Sequence, residues 1–274
     1  FSGCTALESV ILPKELTSLG TFAFQNCRSL TSVALPAKLA AINASTFVGC
    51  SGLMSVNIPA SVTNIADAAF SGCIRLATVT FEDSEDTMLA IANGSSTSGV
   101  FYGCRSLQIV NLPKRLTLLG DYAFSGCTEL RKVVFHEDAQ ITDIGKFAFK
   151  GCAAFNEIKI PTSLVRIGDS AFAGCMSLET VDFGEGRLTT IGASAFSECI
   201  KINEIIIPLS VVSIGERAFY NCRGLTQILL TGAGSIGKEA FYGCANVSEL
   251  NISGNVTDIG DNAFFGIKHL IVAP

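Results

Sequence analysis

The sequence of 274 residues lacks the side chains and segments on which several functional classes depend. It has no Trp and only two His, so imidazole-based acid–base or metal chemistry has few groups to use. Its apolar runs are far shorter than the roughly 20 residues that span a membrane as a helix. The net charge of −5 disfavours a grip on nucleic-acid phosphates. We therefore expect no enzymatic activity, no cofactor, no metal site, no nucleic-acid partner and no membrane insertion in this segment.

The eleven cysteines reveal an internal repeat. They recur with a period of about 23 residues, interrupted by an insertion between Cys73 and Cys104. A Phe stands three residues before every cysteine, and a twelfth copy keeps Phe264 but has Ile267 in the cysteine position. This register predicts about twelve stacked coils, in which Phe lies on Phe and Cys lies on Cys.

Each unit also contains the pattern of a short strand. A large apolar residue such as Leu30 follows the cysteine, and Val33 and Leu35 then alternate with other residues, as in leucine-rich repeats. Pro36 and its equivalents end the strand because proline has no N–H to donate. The stretch before each cysteine, as in 168–175, predicts a turn or one helical turn. We expect one α/β repeat-solenoid domain over residues 1–274, with parallel strands on one face.

The unit C-x-x-L-x-x-V-x-L-P, followed by I-G-x-x-A-F-x-x-C, resembles the BspA-like, Treponema pallidum-type leucine-rich repeats. Segments 152–175 and 199–222 match it nearly throughout, and the resemblance covers essentially the whole chain. It implies a right-handed superhelix and a non-enzymatic, cell-surface or secreted module for adhesion and protein binding. Host extracellular-matrix or plasma proteins are the candidate partners. The alternative is a passive spacer that presents another domain or mediates self-association, since a fold does not determine a function.

One segment, about 82–99, departs from the repeat and predicts an inserted loop. Insertions in repeat proteins lie on one face, where they are either binding loops or tolerated surface loops. The loop begins with an acidic run, Glu82, Asp83, Glu85 and Asp86. Its spacing does not match a twelve-residue calcium loop, so the run indicates either a solvated loop or a weak cation site.

The cysteine column has two interpretations. Cα atoms stacked about 4.8 Å apart would fall within disulfide range, but parallel Cβ vectors would hold the Cβ atoms farther apart than the roughly 3.8 Å that a disulfide prefers. Ile267 in the same position indicates a packing role. We therefore expect a column of buried free thiols.

The outward positions of the predicted strand are the fifth and seventh residues after each cysteine. Apolar side chains flanked by charges are typical of interfaces. The predicted partner-binding residues are Lys132, Lys159, Asp182, Ile206 and Leu229. The alternative is a solvated sheet face with two isolated aliphatic residues. The chain starts within a repeat and without Met, so we expect a fragment or processed chain whose end coils could pair weakly with another copy.

Overall fold

The computed structural model describes residues 1–252, 255–267 and 271–272. The chain divides into two compact units, Phe1–Ile141 and Thr142–Pro274, and each is a parallel β-solenoid of stacked coils. No helix occurs among the described residues, so the segment that returns the chain to the next coil is a turn. The predicted repeat solenoid is confirmed, with turns in place of its helical part.

In the first unit two ladders of parallel strands form two faces of the solenoid. The strand face, which carries the predicted outward positions, contains β2 (Ser55–Ile58), β4 (Thr78–Phe81), β6 (Ile109–Leu112) and β8 (Lys132–Phe135). The second face contains β1 (Ala41–Ile42), β3 (Asn64–Ile65), β5 (Leu89–Ile91) and β7 (Leu116–Leu119).

The second unit repeats this arrangement. Its strand face contains β10 (Glu157–Lys159), β12 (Thr180–Asp182), β14 (Glu204–Ile207), β16 (Gln227–Leu230), β18 (Glu249–Ile252) and β20 (Ile271–Val272). Its second face contains β9 (Asp143–Ile144), β11 (Arg166–Ile167), β13 (Thr190–Ile191), β15 (Ser213–Ile214), β17 (Ser235–Ile236) and β19 (Asp258–Ile259). Equivalent residues pair one coil apart, as in Lys159 with Asp182 and Ile206 with Leu229.

The number of regular strands is smaller than the expected number of coils. Among the described residues, each face has four strands in the first unit and six in the second, against about twelve coils expected. The first coils explain part of this difference. They make isolated bridges, Ser18 with Ala41 and Ser32 with Ser55, where later coils make strands.

The core of each unit is built from identical side chains stacked on one another. The Phe rings stack with centroids 5.0–5.4 Å apart in the first unit and 5.0–5.5 Å apart in the second. Phe149, Phe172 and Phe196 therefore share one internal stack, as the repeat predicts. All eleven cysteines are free, and all except Cys4 are buried. The predicted column of free thiols is confirmed.

The turns add a third set of hydrogen bonds between coils. The N–H of Phe172 donates to the carbonyl of Ala195 at 2.8 Å, and the N–H of Phe196 donates to that of Ala218 at 2.7 Å. These bonds satisfy backbone groups that are buried beside the Phe stack, where an unpaired group would cost free energy. Where both strand ladders continue, a coil is thus fixed to its neighbour on three sides.

The predicted inserted loop contains a strand. Residues Leu89–Ile91 form β5, whose Leu89 and Ile91 side chains are buried, and β5 pairs with both β3 and β7. The insertion is therefore split into two shorter loops, one before and one after β5. The alternation of Leu89, Ala90 and Ile91 is the sequence signal for this strand.

Candidate functional site

The predicted outward positions on the strand face do point outward. Lys132, on β8 of the first unit, is exposed. On the second unit Lys159 and Asp182 are exposed, Ile206 is 48% exposed, and Leu229 is partly exposed. The apolar residues between them, such as Ile158 and Ile205, are buried, as expected for a strand with one face on the core.

The strand-face ladder of the second unit is interrupted between β12 and β14. β12 pairs with β10, and β14 pairs with β16, but β12 and β14 belong to different sheets. On the second face of the same coils the ladder continues, since β13 pairs with β15. The two coils are therefore held together on one face and separated on the other, and β12 and β14 present strand edges toward each other.

One extra residue follows β12 at this interruption. Five residue steps lead from Phe183 to Leu188, the next core residue, whereas four steps lead from Ile160 to Leu164 in the preceding coil. Gly184 replaces the strand-ending proline and adopts a positive φ of 58°. Its N–H donates to the Asp182 carboxylate at 2.9 Å, which stabilises a turn directly after β12.

A groove of about 840 Å³ opens at the interruption. Its apolar lining includes Val181, Ile206 and Leu209, and Leu209 is 69% exposed. Val181 is partly exposed, although its counterparts Ile158 and Ile205 are buried. The separation of the strands thus brings a core position into contact with solvent. The volume lies within the range of about 300–1,000 Å³ that is usual for ligand sites.

The groove is acidic. Fifteen described residues line it, and none of them is Lys or Arg. Four of them carry a carboxylate: Glu179, Asp182, Glu185 and Glu204. Glu179 forms an exposed ion pair with Lys201 at 3.4 Å outside the lining, so its charge is partly balanced. Glu185 and Glu204 make no hydrogen bond or ion pair among the described residues. They are the carboxylates available to a ligand.

A hydroxyl group in the groove wall lacks a partner. The Oγ of Ser210 is shielded from solvent and forms no hydrogen bond among the described residues. At the equivalent position in the first unit, the Oγ of Ser61 donates to the carbonyl of Leu39 at 2.8 Å. By the repeat register, the carbonyl equivalent to that of Leu39 belongs to Leu188, which directly follows the coil's extra residue. A polar atom near the groove is thereby left for a ligand or water.

The structure brings together part of the predicted site. Asp182 and Ile206 line the groove, and Lys159 and Leu229 lie one coil to either side, as register partners of these two residues. Lys132 belongs to the first unit, whereas the groove belongs to the second. The groove was not predicted from the sequence, although the 24-residue spacing from Cys175 to Cys199 and the absence of proline at 184 were available signals.

The acidic run of the insertion has a structural role. Glu82 accepts hydrogen bonds from the Asn57 side chain and the Ala60 N–H, and Glu85 pairs with Lys114. Burial raises the pKa of the Asp83 carboxyl, but backbone N–H donors, including that of Lys114, outweigh it and hold the pKa below its ordinary value. Among the described residues no group of three or more His, Cys, Asp or Glu could hold a metal ion.

These coils, with their leucine-rich core columns and parallel strands, define the class of leucine-rich-repeat solenoids. A sequence model described as "BspA type Leucine rich repeat region (6 copies)" matches residues 1–93, 94–226 and 142–271. The chain therefore belongs to the BspA-type leucine-rich-repeat family, as the repeat motif predicts. A search of curated proteins gives no significant match.

Solved structures of bacterial leucine-rich-repeat proteins resemble the chain. A protein from Bacteroides ovatus has 28% identity and a TM-score of 0.71, with 97% of this chain and 78% of that chain covered. A leucine rich cell surface protein from Faecalibacterium prausnitzii has 26% identity and a TM-score of 0.51, with coverages of 98% and 79%. The T. pallidum leucine rich repeat protein has 28% identity and a TM-score of 0.54, with coverages of 62% and 77%.

The part of the chain that the structure describes includes no helix of the length and apolar character needed to cross a membrane.

Proposed function

We propose that this chain is a non-enzymatic protein-binding module, secreted or displayed at a cell surface, that functions in adhesion. Family membership supports the surface location, as does the similarity to the F. prausnitzii protein, which is described as a cell surface protein. The partner class is an extracellular-matrix or plasma protein, which the exposed strand face contacts. Repeat solenoids offer extended surfaces of this kind for binding.

The observation that carries this proposal is the composition of the strand face in the second unit. Lys159, Asp182, Ile206 and Leu229 point outward on four successive strands, with the groove in their middle. Exposed aliphatic side chains next to charged ones are characteristic of recognition surfaces, whereas a passive spacer has no need of them. Lys132 on the first unit remains a predicted contact residue.

Binding to a panel of purified, immobilised extracellular-matrix and plasma proteins tests the proposal. The binding variant combines Lys159→Glu, Asp182→Lys and Ile206→Asp, three exposed positions whose replacement leaves the core intact. The matched control makes the same kinds of change at or next to the second face, with Lys238→Glu, Asp258→Lys and Val212→Asp. Circular dichroism and thermal unfolding establish that both variants fold.

We expect the unaltered chain to bind at least one panel protein, the binding variant to lose about tenfold or more of that affinity, and the control to keep it. Equal binding by the folded binding variant would reject the strand face as the contact surface. Binding to no panel protein would favour the spacer.

A further inference from the structure

We propose that the groove between β12 and β14 binds an extended segment of a partner protein in which a Lys or Arg side chain lies next to an aliphatic one. This inference rests on the proposed protein-binding function and specifies the chemistry of the partner. Three independent features of the groove support it: open strand edges, an apolar wall and unpaired carboxylates.

The open strand edges favour an extended polypeptide over a compact ligand. β12 and β14 each end a sheet on the side where they face each other. An edge strand presents a row of N–H and C=O groups that an added strand can pair with, and this mode of peptide recognition recurs in proteins. β12 and β14 contain three and four residues, so one edge would accept about 10 Å of extended chain. Cα atoms of the two strands approach within 8 Å, and a strand lying between them needs about 9.5 Å, so the two coils must move apart slightly on this face when the segment pairs.

The apolar wall selects an aliphatic side chain. Ile206 is 48% exposed, Leu209 is 69% exposed, and Val181 is partly uncovered between the separated strands. Burial of apolar surface is the main favourable contribution to most associations of proteins. Because side chains alternate along an extended segment, an aliphatic residue on the wall leaves its neighbours free to point toward the carboxylates.

The carboxylates select a cationic side chain. Glu185 and Glu204 line the groove and have no partner among the described residues, and Asp182 adds a third charge that a backbone N–H only partly satisfies. Three cations lie beside the lining in the ladder or in the chain: Lys159 is the register partner of Asp182, Lys201 pairs with Glu179, and the exposed Arg187 directly follows Gly186. None of the three lines the groove, so the acidic character of its lining remains.

A metal ion fits the groove less well than a cationic side chain. The described residues place no three acidic, His or Cys groups close enough to hold a metal. Lys and Arg carry a charged head on a flexible apolar stem, so they can lie along the aliphatic wall and still reach a distant carboxylate.

The experiment measures binding of short blocked peptides to the full chain by fluorescence anisotropy at low and high salt. The principal probe alternates Val and Lys. A second peptide has Glu in place of Lys, and a third keeps the Val–Lys sequence but carries N-methyl groups on alternate amides, so that it cannot pair with a strand edge. We expect saturable binding of the first peptide only, weakened by salt.

Two pairs of variants locate the binding site. Glu185→Gln combined with Glu204→Gln removes two groove charges, and Glu249→Gln combined with Asp258→Asn removes two charges elsewhere. We expect about tenfold weaker binding for the first pair and less than about twofold for the second. Leu209→Ser tests the apolar wall against Val212→Ser, since both side chains are exposed but only Leu209 lines the groove. Binding should weaken for Leu209→Ser alone.

Several outcomes would overturn the inference. Equal binding of the Lys and Glu peptides would exclude selection of a cationic side chain. Equal weakening by both double variants would leave only a general charge effect. Undiminished binding of the N-methylated peptide would exclude pairing with a strand edge. A dimer in sedimentation that the groove variants dissociate, without peptide binding, would make a second copy the occupant. If no peptide binds but the strand-face variant still loses a panel protein, this inference fails and the proposed function stands.

Discussion

The thiol of Cys175 donates a hydrogen bond to the main-chain carbonyl of Phe149, which lies one coil earlier, over an Sγ–O distance of 3.3 Å. The same bond recurs along both units, as in Cys127 with Phe101 at 3.2 Å and Cys222 with Phe196 at 3.1 Å. The cysteine therefore fills space beside the Phe stack and also satisfies a buried carbonyl. Alanine would fill less of that space and could not donate the bond, so the thiol combines two roles in a small side chain.

This arrangement predicts which thiols react in the folded protein. Cys4 is exposed, and the other ten cysteines are buried. A thiol reagent attacks the thiolate, which burial both shields and disfavours. We expect a colorimetric thiol assay at mildly alkaline pH to detect about one fast-reacting group per folded chain, and all eleven groups after denaturation. The Cys4→Ser variant should lose the fast phase. Rapid reaction of several groups in the native chain would contradict the buried column.

The same burial predicts a loss of stability at high pH. Burial raises the pKa of Cys127, Cys199 and Cys244 from 9.0 to about 12. In the unfolded chain these thiols ionise near pH 9, whereas in the folded chain they remain protonated. Their contribution is therefore fully present below about pH 9 and is lost as the pH rises toward 12. At pH 10 each such thiol should lower the free energy of unfolding by about 1 kcal/mol.

Urea unfolding at pH 8 and pH 10 measures this effect. The Cys127→Ala variant should be less stable than the unaltered chain at pH 8. Between pH 8 and pH 10, however, its free energy of unfolding should fall by about 1 kcal/mol less than that of the unaltered chain. An identical pH dependence for the two proteins would show that the Cys127 thiol does not contribute.

The periodic part of the fold could be predicted from the sequence because each coil repeats the same physical solution. Phe149, Phe172 and Phe196 occupy equivalent positions, and only a stack satisfies all of them together. The outward positions followed from the alternation of each strand, and Asp182 and Ile206 were identified in this way. No comparable regularity marks the groove. It lies where the strand-face ladder stops between β12 and β14, beside the extra residue after Phe183, and this interruption involves two coils at once.

Contacts between distant coils were also missed. The buried guanidinium of Arg115 donates to the carbonyls of Val62 at 2.6 Å, Pro59 at 3.0 Å and Glu82 at 2.9 Å. Val62 precedes Arg115 by 53 residues, and no local pattern relates the two. The insertion separates Arg115 from Pro59 and Val62 in the sequence, so its partner carbonyls can be identified only in the folded coils.

Arg115 should therefore be essential to the stability of the insertion. Arg115→Ala leaves the carbonyls of Val62 and Glu82 without this donor, whereas the Pro59 carbonyl keeps the Val62 N–H, and we expect a loss of about 3 kcal/mol in the free energy of unfolding. Arg115→Lys should recover little of this loss, because an ammonium group cannot reproduce the planar donor geometry. Lys114→Ala is the matched control, since its ion pair with Glu85 is exposed and its removal should lower the free energy of unfolding far less than Arg115→Ala does. Denaturant unfolding of the three variants provides the measurement, and equal losses at 114 and 115 would contradict this role.

Two glycines of one turn should respond differently to alanine. Gly174 has a φ of +74°, but a Cβ there would have its nearest neighbour, a backbone atom of Gly151, 3.9 Å away. Gly174→Ala should therefore lower the free energy of unfolding only through backbone strain, by about 1 kcal/mol. The equivalent position in another coil already accommodates Asn221 at a φ of 57°. A Cβ at Gly168 would lie 2.7 Å from the backbone of Gly145 and Lys146. Gly168→Ala must push adjacent coils apart, so we expect a loss of at least about 2 kcal/mol and a lower Tm. Equal losses would show that coil spacing does not limit the residue at 168.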